Sequence, residues 1–329
     1  MKTNLLKFGV IGVGHLGQHH VKHYCNINDI EFVGFYDPDS QRAYEISQQF
    51  KTKAFRSLEK LLLSVDAVSI VSPTIYHSKI AESCILLKKH VFIEKPIAST
   101  VEEADRLIQL SEKKNIIIQV GHIERLNPAL KALDKYLLQP KYLEIQRLSP
   151  YNTRGTDVPV VLDKMIHDID IALFLAGSEV NTVSASGLSI LTDSIDIANA
   201  RIEFKNGCVA NITSSRVAKD EIRKIKIFQK NLYSTIDLYK GLTEVYSINN
   251  ESSEKNKTIM NVPFNYKGEK KLIHYDKPTV LKSDALKLEL INFVRSIKGH
   301  EKPIVDGYAG REALKIAIEI QNEIIKEVN

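Results

Sequence analysis

An aspartate and a histidine stand four residues apart in the segment VLDKMIHDID, residues 161–170. If a helix begins at Asp163, this residue and His167 lie on one helical face and can point into the same space. A neutral imidazole beside an orienting carboxylate can accept the proton of a hydroxyl group near neutral pH. Taken alone, such a pair is more often a helix cap and an unrelated histidine, so the chemistry depends on the surrounding elements. We interpret Asp168 and Asp170 as capping, solvent-facing or sheet-facing partners.

A glycine-rich turn near the start of the chain is typical of dinucleotide binding. An apolar run at residues 8–11 precedes Gly12-x-Gly14-x-x-Gly17, and a helical pattern follows. Gly12 permits the turn, Gly14 lets backbone approach a pyrophosphate, and Gly17 lets helix and strand pack closely. The helix N-terminus offers unpaired N–H groups to the phosphates.

The second predicted strand ends at Asp37, twenty positions after Gly17. A carboxylate at this position accepts hydrogen bonds from an adenosine ribose and repels a 2′-phosphate, so the sequence favours NAD over NADP. Arg42 lies nearby and keeps NADP as the alternative. The competing interpretation is a glycine-rich turn that binds no nucleotide.

Strand-like and helical segments alternate through the first 122 residues, which predicts a parallel sheet covered on both faces. Ligands of such sheets lie beyond the carboxyl ends of the strands. The residues at these predicted ends are Ser72, Pro73, Glu94, Lys95, Pro96, Gly121 and His122.

The second half has longer β-strand patterns, including a hairpin at residues 205–207, so a domain boundary is expected near residues 122–127. Residues 249–271 are charged, and we interpret them as an excursion or mobile loop without an assigned function. Helices are predicted over residues 285–298 and 310–327.

Composition narrows the classes of function. The chain has 329 residues, of which 43% are hydrophobic and 26% charged, as in an ordinary globular protein. The net charge of +5 comes from scattered basic residues, which argues against nucleic-acid binding. We expect a cytoplasmic protein without a membrane segment, because no apolar run approaches about 20 residues. The cysteines are odd in number, lack a CxxC pattern and predict reduced thiols: Cys25, Cys84 and Cys208.

A metal site is not predicted. His15, His19 and His23 follow one another at intervals of four, but no cysteine or carboxylate completes a ligand set.

The segments GVGHLG, SPTIYHSKIA, EKPIA and DKMIHDIDI occur in the order seen in the Gfo/Idh/MocA oxidoreductases, which the whole chain resembles. The resemblance implies an α/β fold class. It places an NAD(P)-binding Rossmann domain with a parallel sheet at residues 1–122. It places a substrate-binding and oligomerisation domain, with a large, mostly antiparallel open sheet, at residues 123–329. The C-terminal helices can pack back near the first domain, and a homodimer or homotetramer is expected.

In the family, the lysine of the EKP motif and the aspartate and histidine of a DxxxH motif line the substrate site, and they match Lys95, Asp163 and His167. The resemblance implies that His167 is the general base, that Lys95 donates a hydrogen bond to a substrate hydroxyl, and that Asp163 fixes polar groups. Met165 stands where family members often have glycine. The implied cofactor contacts are Gly12, Gly14, His15, Leu16, Gly17, Asp37, Ser72, Pro73, His77, Glu94 and Lys95; for His77 a local hydrogen bond is the competing interpretation.

The segment GHIERLNPA resembles the GHxERFNPA pattern of nucleotide-sugar members of the family, particularly those that oxidise C3 of UDP-N-acetylglucosamine, with Leu126 in place of phenylalanine. Arg125 and Arg154 are candidate diphosphate ligands, and Asn127 a candidate ligand of a hydroxyl or acetamido group. The competing interpretations are an interdomain salt bridge for Arg125 and a solvent-exposed loop for Arg154.

Two other functions are compatible with the sequence. The first is an inositol or free-sugar dehydrogenase of the same family. The second is a dinucleotide-binding sensor or regulator without turnover, although a sensor does not need the proton-transfer set.

Overall fold

The computed structural model describes residues 5–152, 158–250 and 260–328. The chain divides into two compact units. The first comprises Met1–Ile123 and Asp284–Lys315, and the second comprises Glu124–Ser283 and Ile316–Asn329. The division therefore falls inside the last helix.

The first 121 residues alternate strands and helices in the predicted order. The elements are β1 (Leu6–Ile11), α1 (Gly17–Tyr24), β2 (Ile30–Tyr36), α2 (Ser40–Phe50), α3 (Leu58–Leu62), β3 (Ala67–Ile70), α4 (His77–Leu86), β4 (His90–Glu94), α5 (Val101–Lys114) and β5 (Ile118–Gly121). Polar side chains begin several of the helices: Asp39, Ser57 and Thr100 each accept a hydrogen bond from a first-turn N–H group.

The remaining elements alternate less regularly. They are α6 (Pro128–Lys131), β6 (Tyr142–Leu148), a π-helical turn (Val161–Met165), α7 (Ile166–Ala176), β7 (Val180–Leu188), β8 (Ile197–Phe204), β9 (Val209–Ser215), β10 (Ile222–Gln229), β11 (Leu232–Asp237), β12 (Leu242–Asn250), β13 (Met260–Tyr266), β14 (Glu269–Asp276), α8 (Ala285–Ile297) and α9 (Gly307–Val328). Within the described residues, no helix is both long enough and apolar enough to cross a membrane.

The first unit contains a five-stranded parallel sheet with the order β2-β1-β3-β4-β5. The chain reverses its winding direction between β1 and β3, and ligands of open parallel sheets bind beyond the strand ends at such a point. Both faces are covered. Phe8 of β1 packs edge to face on Phe293 of α8 at 5.9 Å. The adjacent Gly9 points the other way, where a Cβ atom would lie 2.8 Å from Leu61 of α3.

The second unit contains a nine-stranded sheet with the order β13-β14-β12-β11-β10-β6-β9-β8-β7. β6 and β9 are parallel, and the other neighbours are antiparallel. The inner face packs on α6 and α7. The outer face carries a row of aromatic rings with centroids 4.9 to 5.7 Å apart, formed by Tyr142, Phe228, Tyr233, Tyr246 and Tyr275.

Two predictions need correction. Residues 249–271 are not a loop in their described part, because Met260–Tyr266 and the residues from Glu269 onward form paired strands. The many lysine and glutamate residues concealed the alternation of Met260, Val262 and Phe264; residues 251–259 lie outside the described part. The last helix begins at Gly307 rather than residue 310, because Asp306 accepts a hydrogen bond from the Ala309 N–H group at 2.9 Å.

Candidate functional site

The glycine-rich turn follows β1 directly and leads into α1. Gly12 has a φ of +86°, and a Cβ atom there would lie 2.7 Å from the Val71 carbonyl oxygen. A Cβ atom on Gly17 would overlap the Gly12 carbonyl oxygen. Gly14 differs, because a Cβ atom there would have no neighbour within 4 Å. The close approach of neighbouring backbone therefore requires glycine at positions 12 and 17. Gly14 instead leaves open space at the N-terminus of α1, which fits a pyrophosphate group.

The backbone of Val13 is held from two sides. Its N–H group donates to Asp37 Oδ2 at 2.7 Å, and its carbonyl oxygen accepts from Arg42 Nε at 3.0 Å. Asp37 also accepts from the Asp39 N–H group at 2.9 Å. A carboxylate has about four acceptor positions, so Asp37 can hold the turn and still accept from a ribose.

Asp37→Asn tests the predicted choice of cofactor. The asparagine amide oxygen can still accept from the Val13 N–H group, but the charge that repels a 2′-phosphate is lost. We expect the ratio of kcat/KM with NADP to kcat/KM with NAD to rise about tenfold. Arg42→Gln, the matched variant, should lower NADP use. An unchanged ratio in Asp37→Asn would show that this carboxylate does not determine the choice.

His77 connects the segments that follow β3 and β4. Its ring is buried, with Nε2 at 2.7 Å from the Ser72 carbonyl oxygen and Nδ1 at 2.8 Å from the Pro96 carbonyl oxygen. Burial lowers the pKa of His77, although both carbonyl groups favour the protonated ring. The structure thus contains the local hydrogen bonds weighed as the alternative for His77. Its contact with the cofactor stays a prediction.

A buried pair lies beneath the strand ends. His20 Nε2 of α1 lies 3.0 Å from Glu94 Oε1 at the end of β4, and both residues are buried. Glu94 Oε2 accepts from the Lys95 N–H group at 3.3 Å. Gly121 closes the other side, since a Cβ atom there would lie 2.8 Å from Glu94 Oε2. Residues from α1, β4 and β5 therefore fix the backbone at the half-buried Lys95.

Gly121→Ala should lower kcat by about tenfold or more, because the new methyl group displaces the Glu94 carboxylate and with it the Lys95 backbone. His20→Asn removes the same support from the opposite side. Combining the two substitutions should therefore cost little more than the worse single one. Steady-state kinetics check this, and fully additive losses would contradict a shared action through Glu94.

Asp163 and His167 lie in the second unit, but not in one regular α-helix. Asp163 belongs to the π-helical turn, and His167 belongs to the first turn of α7. The predicted α-helix starting at Asp163 is therefore wrong by three residues. The widened turn changes the direction of Asp163 relative to His167, and π-helical turns are frequent at functional sites. Both side chains are half-buried, and Met165 between them is fully buried.

Arg125 is paired within the second unit. Its Nε and Nη2 atoms donate to the two carboxylate oxygens of Asp170 at 2.8 and 2.6 Å. Its guanidinium carbon lies 4.9 Å from the centroid of the Phe174 ring. Asp170 offsets the positive charge that a diphosphate would need, so this geometry argues for a positioning role. The contact of Arg125 with substrate stays a prediction.

Asn127 also has protein partners. Its Oδ1 accepts from the Ala129 N–H group at 3.0 Å and caps α6, while its Nδ2 donates to Glu124 Oε2 at 3.0 Å. Its contact with substrate also stays a prediction. Arg154 lies outside the described residues.

Arg147 contacts α7 on a different side from Arg125. Arg147 of β6 donates from Nε and Nη2 to Asp168 at 2.9 Å each, and from Nη1 to Glu124 at 2.9 Å. Burial disfavours the charge of Arg147, but the two carboxylates outweigh this and raise its pKa, so the guanidinium stays charged. Asp168 and Asp170 are thus partners of arginines.

Two apolar side chains beside the predicted cofactor site were not predicted from the sequence. Ile75 and Tyr76 follow Pro73 beyond β3 and are 71% and 52% exposed. Large exposed apolar groups beside a predicted cofactor site are candidates for contact with it. Their position between the SP dipeptide and His77 was the available signal. The described residues contain no group of three or more histidine, cysteine or acidic side chains arranged to hold a metal ion.

Comparison with known proteins identifies the family. Residues 6–122 match the model of an oxidoreductase family with an NAD-binding Rossmann fold, and residues 140–230 match the Gfo/Idh/MocA C-terminal domain. The chain belongs to the Gfo/Idh/MocA family. The predicted family, fold class and oxidoreductase class are confirmed.

Individual relatives are dehydrogenases. The UDP-N-acetylglucosamine 3-dehydrogenase of Acidithiobacillus ferrooxidans is 35% identical over 96% of both chains. A solved structure of that enzyme superposes with a TM-score of 0.86 at 34% identity, covering 97% of each chain. The myo-inositol 2-dehydrogenase of Thermotoga maritima is 27% identical, covering 94% of this chain and 93% of its own.

Proposed function

We propose that this Gfo/Idh/MocA oxidoreductase is an NAD-dependent dehydrogenase that oxidises the C3 hydroxyl of UDP-N-acetylglucosamine, or of a related UDP-sugar, to a ketone. The observation that carries the proposal is the 35% identity to a UDP-N-acetylglucosamine 3-dehydrogenase over 96% of both chains. The GHIERLNPA segment, which resembles the GHxERFNPA pattern of nucleotide-sugar members of the family, supports the same assignment.

Residues 1–122 hold the dinucleotide in this proposal, and residues 123–329 hold the sugar. The open space at Gly14, the N-terminus of α1 and the Asp37 carboxylate fit the pyrophosphate and a ribose. NAD, when bound, would supply the acceptor for the hydride that leaves the sugar carbon. NAD rather than NADP follows from Asp37, because its carboxylate repels a 2′-phosphate.

Three side chains deprotonate, stabilise and orient the reacting sugar in this proposal. His167 accepts its proton, so the O–H bond breaks as the C–H bond donates its hydride. Lys95 donates a hydrogen bond to the reacting oxygen and stabilises the developing negative charge. Asp163 orients the sugar or the other polar groups.

A homodimer or homotetramer through the outer face of the nine-stranded sheet is part of the proposal. Aromatic residues are enriched at protein interfaces, and the row from Tyr142 to Tyr275 crosses five strands of this face. Sedimentation of the purified protein, compared with a Tyr233→Lys variant, tests this face.

Absorbance of NADH tests the activity. Purified protein and NAD are mixed with UDP-N-acetylglucosamine, UDP-glucose, myo-inositol or glucose, at enzyme concentrations high enough to detect one turnover if the product stays bound. We expect reduction with UDP-N-acetylglucosamine. Reduction with myo-inositol alone would replace the proposal with the inositol dehydrogenase function, and NAD binding without reduction by any sugar would favour a sensor.

A further inference from the structure

Helix α7 carries His167 in its first turn, directly after the π-helical turn. Val160 and Met165, the residues that precede the two elements, are buried and apolar and form no side-chain cap hydrogen bond. The side chain of a helical residue points in a direction set by the rotation of the helix about its axis. Contacts made further along α7 therefore contribute to the direction of the His167 side chain.

Two arginines supply such contacts from opposite sides. Asp168 and Asp170 are two positions apart, which corresponds to roughly 200° of rotation about the axis of an α-helix. Arg147 pairs with Asp168 through two hydrogen bonds, and Arg125 pairs with Asp170 through two more. Viewed along the helix axis, His167 lies between these two carboxylates, about 100° from Asp168 and about 60° from Asp170.

Arg125 makes a further contact with the same helix. Phe174 lies one turn beyond Asp170, and its ring packs on the Arg125 guanidinium. The side chains of Arg125 and Asp170 are 10% and 1% exposed. A bidentate pair fixes orientation as well as distance, so this pair resists rotation of α7 in a way that a single hydrogen bond does not.

We propose that the Arg125–Asp170 and Arg147–Asp168 pairs form a rotational clamp on α7, and that Arg125 and Asp170 are positioning residues for His167. The ERLNP segment then serves catalysis through α7 rather than by binding the diphosphate. The statement that the clamp positions a catalytic base rests on the proposed function. The statement that the two pairs fix the rotation of α7 does not.

Arg125→Lys is the decisive variant, because it keeps the charge but cannot make the two-point pair. We expect kcat with UDP-N-acetylglucosamine to fall about 10- to 100-fold, with KM changed less than about twofold. Asp170→Asn should do the same, and the double variant should be no worse than the poorer single one. Arg295→Lys, in the exposed pair of Arg295 with Glu301, is the matched control and should change neither constant.

A second measurement needs no substrate. In protein with isotope-labelled histidine, the His167 ring signal is assigned by its loss in His167→Asn. Arg125→Lys should shift or broaden this signal, whereas Arg295→Lys should leave it in place. This outcome supports the clamp even if no sugar reduces NAD, so failure of the proposed function and failure of the clamp are separable.

One result would overturn the proposal and favour Arg125 as a diphosphate ligand. In this result, Arg125→Lys raises KM for the nucleotide sugar without changing kcat, and Asp170→Asn changes neither constant. An unchanged His167 signal would also overturn it. If Asp170→Asn folds poorly, the Arg125→Met/Asp170→Leu variant removes both charges together. This variant should fold and show the same loss of kcat, and full activity in it would overturn the clamp.

Discussion

His167→Asn is expected to lower kcat about 10²- to 10⁴-fold while the Kd for NAD stays within about twofold of the parent value. Asparagine fills part of the space of the imidazole and keeps a hydrogen-bond donor, but it cannot accept a proton near neutral pH. The proposed cofactor contacts include the turn that contains Gly14, which belongs to the first unit. The loss should therefore appear in the chemical step and not in dinucleotide binding.

The control for this substitution is His300→Asn, since His300 is exposed and follows α8. It lies two residues after Lys298, which donates to the Asp29 carbonyl oxygen just before the amino end of β2. Turnover and dinucleotide affinity should both match the parent protein. Equal losses of turnover and NAD affinity in His167→Asn would contradict the role of this residue as a base, because they would indicate damage to the fold.

Gly14→Val should abolish NAD binding without unfolding the protein, with the Kd rising at least about 100-fold. A Cβ atom on Gly14 meets no protein atom within 4 Å, so we expect the protein without NAD to accommodate the small side chain. The same space is where the pyrophosphate is proposed to lie, next to the N-terminus of α1. Calorimetric titration with NAD and a thermal unfolding curve measure the two effects.

Gly17→Ala provides the contrast. Its Cβ atom would overlap the Gly12 carbonyl oxygen, so the turn itself has to move and the free energy of unfolding should fall. We expect both variants to lose NAD binding, but only Gly17→Ala to lower Tm. If Gly14→Val binds NAD as well as the parent does, the open space at Gly14 is not the pyrophosphate position.

The glycine-rich turn and the strands around it were predictable because the residues that determine them are close together in the sequence. The strand, the spacing of Gly12, Gly14 and Gly17, and the acidic residue after β2 all follow one another within 32 positions, from Leu6 to Asp37. Alternation of strands and helices then determined the sheet and the edge at which Ser72 and Lys95 lie. Each of these inferences uses the backbone periodicity of short segments.

The partners of α7 were not predictable in the same way. Arg125 and Asp170 are 45 positions apart, and Arg147 and Asp168 are 21 positions apart. An isolated arginine on a loop has the same sequence pattern whether it binds a diphosphate or a carboxylate of its own chain. The π-helical turn escaped prediction because the apolar pattern of a five-residue segment does not distinguish it from an α-helix.

The most direct test of the proposed activity follows the transferred hydrogen. UDP-N-acetylglucosamine with deuterium at C3 is incubated with the protein and NAD, and the nicotinamide product and the sugar are analysed by mass spectrometry. We predict that deuterium moves from C3 of the sugar into NADH and that a 3-keto sugar appears in equal amount. NADH that forms without deuterium, or deuterium that remains on the sugar after NAD has been reduced, would contradict oxidation at C3.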